Sequence, residues 1–172
     1  MTATLGLDLG ERRIGIAIAE EGDFAARPLT TLVRRPDPGQ DAAALRELID
    51  RYAVGELVVG LPFEAGGSEG PQARLTRAWT TAVDAALQAS LGAAAPTITY
   101  QDERLTSHLA EQRLGPMPRG RSGGPPTRSQ RDAYRSRVDR EAAAIILQDA
   151  LDTRRPAHAS LPTPQPSKET PT

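Results

Sequence analysis

Two runs of alternating residues at the start of the chain restrict its fold more than any other feature. Residues 4–9 (TLGLDL) place Leu5, Leu7 and Leu9 on one side of an extended strand. Residues 14–19 (IGIAIA) alternate β-branched with small side chains, and four residues that include a glycine separate the two runs, as in a hairpin. A third extended run covers about residues 25–33. The chain is therefore expected to open with an antiparallel meander.

After the meander the sequence changes to alternating helix and strand patterns. Apolar residues at helical spacing predict helices over residues 41–52, 71–91, 105–114 and about 131–151. Short apolar or β-branched runs at residues 57–61 and 97–100 predict two further strands, which the intervening helices would make parallel. This order predicts an α/β fold with a mixed five-stranded sheet, three antiparallel strands and then two parallel ones, flanked by helices.

The length of 172 residues suits one domain with a tail. We expect a folded domain over residues 1–154, with a mobile, basic Pro/Gly-rich loop at about 115–130. Residues 155–172 contain five prolines and almost no large apolar side chain. They cannot offset their ordering entropy by burial, which predicts a disordered C-terminal tail.

Several classes of protein are excluded by composition. The absence of cysteine rules out disulfides, a thiolate nucleophile, a Cys-based zinc site and an iron–sulfur cluster. Two histidines make a His-rich metal site a poor explanation. No run approaches the roughly 18 apolar residues that span a bilayer, and the first residues show no secretory pattern. We expect a cytoplasmic protein that does not contact a membrane.

Three acidic residues stand where a sequence normally avoids them. Asp8 interrupts the first apolar strand, where an ionised carboxylate is costly unless it is paired or binds a cation; the plainer alternative is a turn carboxylate at a strand end. Glu103 follows a predicted parallel strand, at the sheet edge where sites collect, although Asp102 or Glu103 can instead cap the next helix. Asp139 extends the apolar stripe of the last helix towards the sheet, unless that helix begins later and Asp139 only stabilises its first turn.

Converging carboxylates without His or Cys are typical of a site for a hard cation. Mg²⁺ and Mn²⁺ prefer oxygen ligands and exchange water for phosphate oxygens. Two such ions roughly 3.5–4 Å apart can activate a water and stabilise the leaving oxygen in phosphodiester hydrolysis. We therefore expect Asp8, Glu103 and Asp139 to be catalytic residues and metal ligands, with Mg²⁺ or Mn²⁺ as cofactor in a two-metal site.

Arginine is concentrated in one segment. Residues 113–138 hold seven arginines and one acidic residue, a local charge of +6, so the net charge of −1 leaves −7 for the rest of the chain. A basic segment on an acidic body indicates a side that faces a polyanion, although a solvated loop is the plainer alternative. Guanidinium groups bind phosphate in a bidentate manner. The candidate nucleic-acid contacts are Arg104, Arg119, Arg121, Arg128, Arg131 and Arg135.

Four stretches in order along the chain resemble the motifs of the YqgF/RuvX family, which belongs to the RNase H-like superfamily together with the RuvC resolvases. They are residues 6–17 (GLDLGERRIGIA), 58–62 (VVGLP) with Gly66 and 69–73 (EGPQA), 102–107 (DERLTS) with Ala110, and Asp139 with Ala142, Ala143 and 146–148 (ILQ). The resemblance implies an RNase H-like fold and a metal-dependent nuclease. The family's catalytic carboxylates correspond to Asp8, Glu103 and Asp139.

The resemblance also implies the kind of substrate. Family members are described as processing the precursor of the small-subunit (16S) ribosomal RNA and as resolving Holliday junctions. Expected partners are therefore structured or single-stranded RNA, single-stranded DNA or a four-way DNA junction. Symmetric junction cutting requires a two-fold homodimer, for which the helix at 71–91, with an exposed Trp79, is a candidate interface. Glu11 and Glu64 depart from the frequent Thr and Asn of the family and leave the substrate preference open.

Two other functions compete with this prediction. A non-catalytic rRNA- or DNA-binding factor of the same fold would bind without metal and would not depend on Asp8. An actin-like nucleotide phosphotransferase is suggested by Asp8-Leu9-Gly10, which resembles a phosphate loop of that fold. The chain is too short for the second domain that this chemistry uses.

Overall fold

The computed structural model describes residues 2–23, 25–103, 106–120 and 123–154. The predicted tail at 155–172 lies outside the described residues, and the division into domain and tail stays a prediction. The elements, in chain order, are β1 (Ala3–Leu9), β2 (Arg13–Ala19), β3 (Arg27–Val33), α1 (Pro38–Tyr52), β4 (Val54–Leu61), α2 (Pro71–Leu91), β5 (Thr97–Asp102), α3 (Thr106–Leu114) and α4 (Arg128–Arg154). A short 3₁₀ turn, Gly92–Ala94, links α2 to β5.

The five strands form one mixed sheet in the order β3-β2-β1-β4-β5. Strands β1, β2 and β3 pair antiparallel, whereas β4 pairs parallel with both β1 and β5. The predicted sheet, three antiparallel strands followed by two parallel ones, is confirmed. Strand β1 is central, so the carboxyl ends of β1, β4 and β5 all reach the same edge of the sheet.

The two faces of the sheet are built from different side chains. The large residues of β1 and β2, such as Leu5, Leu7 and Ile16, pack with α1 and α2. The opposite face consists of small residues against which α4 packs, with Ala17 and Val58 in contact with the alanines and Ile146 of that helix. The alternation of large and small residues in the sequence thus separates a thick apolar layer from a face that a helix approaches closely.

Helix α4 lies almost on the backbone of the sheet. A Cβ atom added to Gly6 would lie 2.7 Å from the carbonyl oxygen of Ala143, and one added to Gly15 would overlap the carbonyl group of Asp139. Glycine is required at both positions because the strand and the helix touch through main-chain atoms. This contact fixes the height of Asp139 above the sheet.

Helix α2 begins and ends as the sequence predicts, but one expectation about it is wrong. Trp79 is only 3% exposed, and its indole N–H donates to a carboxylate oxygen of Asp41 at 2.8 Å. Asp41 is itself buried and also accepts the backbone N–H of Arg35. The isolated indole among alanines therefore anchors α2 to α1 and is unavailable for a dimer interface.

None of the helices in the described part of the chain is long and apolar enough to cross a membrane.

Candidate active site

Asp8 lies near the carboxyl end of the central strand, on the face that α4 covers. Its register partner on β2 is Gly15, the residue on which the main chain of Asp139 rests. Paired residues on adjacent strands are roughly 4.5–5.5 Å apart. Asp8 and Asp139 are therefore neighbours across a glycine, although most of the chain separates them in sequence. Only a small part of Asp8 remains accessible to solvent.

Asp139 lies well inside α4, because the helix begins at Arg128. The alternative in which Asp139 belongs to the first turn is therefore excluded, and its carboxylate points back to the sheet edge as the apolar stripe predicts. There it accepts a hydrogen bond from Nε of Arg13, the first residue of β2. The side chains of Asp139 and Arg13 are 22% and 24% exposed, so the ion pair is largely shielded.

Glu103 immediately follows β5 and folds back over the end of β4. Its backbone N–H donates to Leu61 at 3.3 Å, and its carbonyl accepts both the N–H and the hydroxyl of Thr106. The carboxylate occupies the space that a side chain at Gly60 would fill. Its Oε2 atom is buried and has no hydrogen-bond partner among the described residues. A buried, unsatisfied carboxylate oxygen is costly unless a ligand binds it.

The carboxylates at this edge perturb one another. Burial, with the charge of Asp139 as a second cause, raises the pKa of Asp8 to about 7. Burial, followed by the charges of Asp8 and Asp102, raises the pKa of Glu103 to about 8. Asp8 therefore stands electrostatically between the other two predicted ligands. Negative charge concentrated in this way, with protons held near neutral pH, is what a bound cation would relieve.

The donor set fits a hard divalent cation only in part. Asp8 and Glu103 present oxygen donors, and the unpartnered Oε2 of Glu103 is suitably placed to accept one. Asp139, however, is engaged by Arg13. In this conformation no three His, Asp or Glu side chains within the described residues are arranged to hold a metal ion. A complete three-carboxylate site requires a different placement of the Asp139 carboxylate, whose Oδ2 atom Arg13 now binds.

The predicted arginine contacts divide into two groups. Arg135 lines a cleft of about 480 Å³ beside Asp139, together with Arg12 and Arg13. Arg128 is 90% exposed and faces Asp132 at 3.9 Å, and Arg119 is also exposed, so both are on the surface rather than at the carboxylates.

The remaining predicted arginines add little to the cleft. Arg131 donates to the carbonyl oxygen of Pro126 and so stabilises the loop that precedes α4. Arg104 and Arg121 lie outside the described residues.

Sequence reasoning missed four residues that shape the site. Gly15 and Gly60 make room for Asp139 and Glu103, while Arg12 and Arg13 of the β1–β2 hairpin reach the cleft. A signal was present for the glycines, because each occupies a position of its strand that faces the same side as Asp8. Nothing local to Arg13 shows that it meets α4, since that contact depends on the helix crossing the hairpin.

A central strand ending in a buried carboxylate, between a second carboxylate after β5 and a third on α4, defines an α/β protein of the RNase H-like type. The profile of the family described as "RuvX: Holliday junction resolvase" matches residues 2–153. The chain belongs to this family, as the four sequence stretches predict.

Relatives support the same assignment. A protein of Anaeromyxobacter dehalogenans named "Putative pre-16S rRNA nuclease" is 45% identical over 153 residues, which cover 89% of this chain and 98% of that protein. A protein of the same name from Synechococcus sp. is 42% identical and covered to 91%.

Among solved structures, RuvC of T. thermophilus in complex with a Holliday junction substrate is similar at 16% identity and a TM-score of 0.49, covering 90% of this chain and 96% of that one.

Proposed function

We propose that this chain is a metal-dependent nuclease that hydrolyses phosphodiester bonds of nucleic acid. The observation that carries the proposal is the buried Oε2 atom of Glu103 beside Asp8, which has no hydrogen-bond partner among the described residues and lies at the sheet edge where three strands end. The pKa values of Asp8 and Glu103 are both raised, which means that their charged forms cost stability in the folded protein unless a cation binds. The names of the family and of its relatives are those of nucleases and support the same chemistry.

Mg²⁺ or Mn²⁺ would supply the chemistry of the site, since a pair of divalent ions can activate a water and stabilise a leaving oxygen. Asp8 would hold the ions together with Glu103 and Asp139, since it interacts electrostatically with both of these carboxylates. The backbone of Glu103 is held by the turn to Thr106, so Glu103 would contribute a ligand from a defined point of the sheet edge. Asp139 would contribute the third ligand after release from Arg13.

The substrate strand would bind along the arginines next to the carboxylates. Arg135 borders the cleft, and exposed Arg119 and Arg128 extend the positive surface along the loop and the start of α4. Guanidinium groups contact phosphates, and no base-reading element is apparent, so recognition would depend on shape more than on sequence. Arg104, Arg121 and Arg131 remain proposed contacts on the basis of sequence.

The relatives' names favour a precursor of 16S ribosomal RNA as the substrate, and the family's description favours a Holliday junction. We propose precursor rRNA processing as the main reaction. Junction resolution in addition requires a two-fold dimer, and burial of Trp79 removes that side chain, though not the rest of α2, from the candidate interface. The mass of the protein in solution therefore bears directly on this choice.

The test is a cleavage panel with Mn²⁺ or Mg²⁺ that offers single-stranded RNA, a structured rRNA precursor, single-stranded DNA and a four-way junction. Asp8→Asn should abolish cleavage of every substrate. Asp50→Asn is the matched control, since it removes an exposed carboxylate that faces Arg46 on α1. Cleavage retained by Asp8→Asn would refute the assignment, and binding without any cleavage by the unaltered protein would favour the non-catalytic alternative.

A further inference from the structure

Arg13 holds a position that a purely structural arginine would not need. It is the first residue of β2 and lies on the same face as Gly15, the residue that meets the main chain of Asp139. Its Nε donates to Oδ2 of Asp139, one of the three predicted metal ligands. The guanidinium of Arg13 is thus paired with a carboxylate that the proposed cation site requires. Oε2 of Glu103, by contrast, has no partner among the described residues.

The charges of the adjacent cleft depend on what Asp139 binds. The cleft of about 480 Å³ is lined by the guanidinium groups of Arg12, Arg13 and Arg135 and by the carboxylates of Glu11, Asp132 and Asp139. Three positive and three negative groups balance. If a divalent cation takes the charge of Asp139, the cleft keeps a surplus of positive charge and Arg13 loses its partner.

The free guanidinium would then have one suitable ligand nearby. Arg12 and Arg135 make no ion pair within the described residues, so they already offer donors to an anion on either side of Arg13. A guanidinium is always charged and presents parallel N–H groups that match a phosphate. A phosphodiester of a nucleic-acid strand entering the active site would pass this cleft.

We propose that Arg13 is an exchangeable counter-cation: it binds Asp139 in the metal-free protein and moves to a substrate phosphate when a divalent ion takes Asp139. The inference rests on the proposed nuclease function and adds to it a positioning residue, Arg13, that is not among the site residues predicted from the sequence. It makes metal binding and nucleic-acid binding mutually reinforcing, because each releases a group that the other needs. The protein would therefore bind its substrate more tightly when the ions are bound.

The first experiment measures Mn²⁺ affinity by titration calorimetry in the absence of nucleic acid. Arg13→Gln should bind Mn²⁺ about two- to fivefold more tightly than the unaltered protein, the effect expected from losing a partly exposed ion pair that competes with the metal. If Arg13 merely braces Asp139, its removal should weaken Mn²⁺ binding or leave it unchanged, and either result overturns the proposal. The direction of the change is what separates the two roles.

Arg27→Gln is the matched control. Arg27 is also a strand arginine in an ion pair, with Glu20, but it pairs in register with Ile18 at the opposite end of the sheet. It should leave Mn²⁺ affinity unchanged. If Arg13→Gln does not fold, Arg13→Lys takes its place. The lysine ammonium is a more strongly hydrated point charge and should compete less well for Asp139, so this variant should bind Mn²⁺ more tightly than the unaltered protein.

The second experiment measures anisotropy of a labelled single-stranded RNA with Ca²⁺, which has the same charge as Mn²⁺, or with EDTA. Arg13→Gln should reduce the log–log salt dependence by roughly 0.7 with Ca²⁺, the value for one phosphate contact on a single strand, and should not change it in EDTA. An equal loss in both conditions would show a permanent phosphate contact and no exchange. Tighter Mn²⁺ binding with an unchanged salt dependence would overturn the phosphate step.

The proposed function and this inference fail in different ways. Absence of Mn²⁺ binding by the unaltered protein would end both. Normal Mn²⁺ binding and cleavage that depend on Asp8, with Arg13→Gln equal to the Arg27→Gln control, would leave the nuclease intact and end the exchange alone.

Discussion

Replacing Asp8 by asparagine should stabilise the metal-free protein while removing a ligand of the proposed metal site. The pKa of Asp8 rises from 3.8 to about 7 in the folded state, with burial as the main cause. The folded state therefore holds the proton more tightly than the unfolded state does. The resulting penalty is absent below about pH 4, grows as the pH rises and is complete above about pH 7. Asparagine carries no such charge and escapes the penalty.

The size of the effect follows from the two pKa values. The interval between 3.8 and about 7 corresponds to roughly 4 kcal/mol at 1.36 kcal/mol per pKa unit. A buried amide with imperfect hydrogen bonds costs about 1–3 kcal/mol in return. The net gain for Asp8→Asn at about pH 8 is therefore about 1–3 kcal/mol, which raises the melting temperature by roughly 2–12 °C for a domain of this size.

Calorimetric melts in EDTA, at about pH 8 and about pH 4.5, test this reasoning. The advantage of Asp8→Asn should shrink or reverse at the lower pH, where Asp8 of the unaltered protein is neutral in the folded state. Mn²⁺ should raise the melting temperature of the unaltered protein and not that of the variant. Asp50→Asn shows what losing an exposed carboxylate does. If the melting temperatures of Asp8→Asn and the unaltered protein change equally with pH, the raised pKa of a buried Asp8 is refuted.

Three other substitutions separate packing from chemistry. Gly60→Ala should displace the flexible carboxylate of Glu103. Cleavage and Mn²⁺ affinity should therefore fall at least tenfold, while the free energy of unfolding changes by only about 1–3 kcal/mol. Gly15→Ala should instead destabilise by at least about 3 kcal/mol in denaturant melts, because the added methyl meets the main chain of α4. Trp79→Phe should cost about 1–3 kcal/mol by leaving the buried carboxylate of Asp41 without its donor, and a melt equal to that of the unaltered protein would contradict this.

The fold could be predicted because each element carries its own periodic signal. Strands β1 and β2 alternate, β4 is apolar throughout, and α2 has an amphipathic pattern that begins at a proline, so the bounds of α2 agree with the prediction. Strand β3 begins later than predicted and α4 begins earlier, at Arg128. A helix start within a Pro/Gly/Arg segment depends on packing, which residue pattern does not express.

The sequence predicts those site residues that stand at positions unusual for a charged side chain. Asp8 and Asp139 each interrupt an apolar pattern, and Glu103 follows a strand, so all three were identifiable. The partnership of Asp139 with Arg13 was not, because it joins residues 126 positions apart. Trp79 was misjudged since its neighbours in sequence are alanines, whereas its real partner, Asp41, comes from another helix.

The seat of α4 on glycine has a consequence for redesign of this protein. Main-chain atoms of α4 meet the main chain of β2 at Gly15, so exchanges of nearby side chains leave the distance between the backbones of α4 and β2 unchanged at Asp139. In the segment between α3 and α4, an added Cβ meets no other atom at Gly115 or Gly123, although the positive φ of both residues favours glycine. Changes meant to alter what the protein binds are therefore better made in the segment between α3 and α4, with Gly15 and the three carboxylates left unchanged.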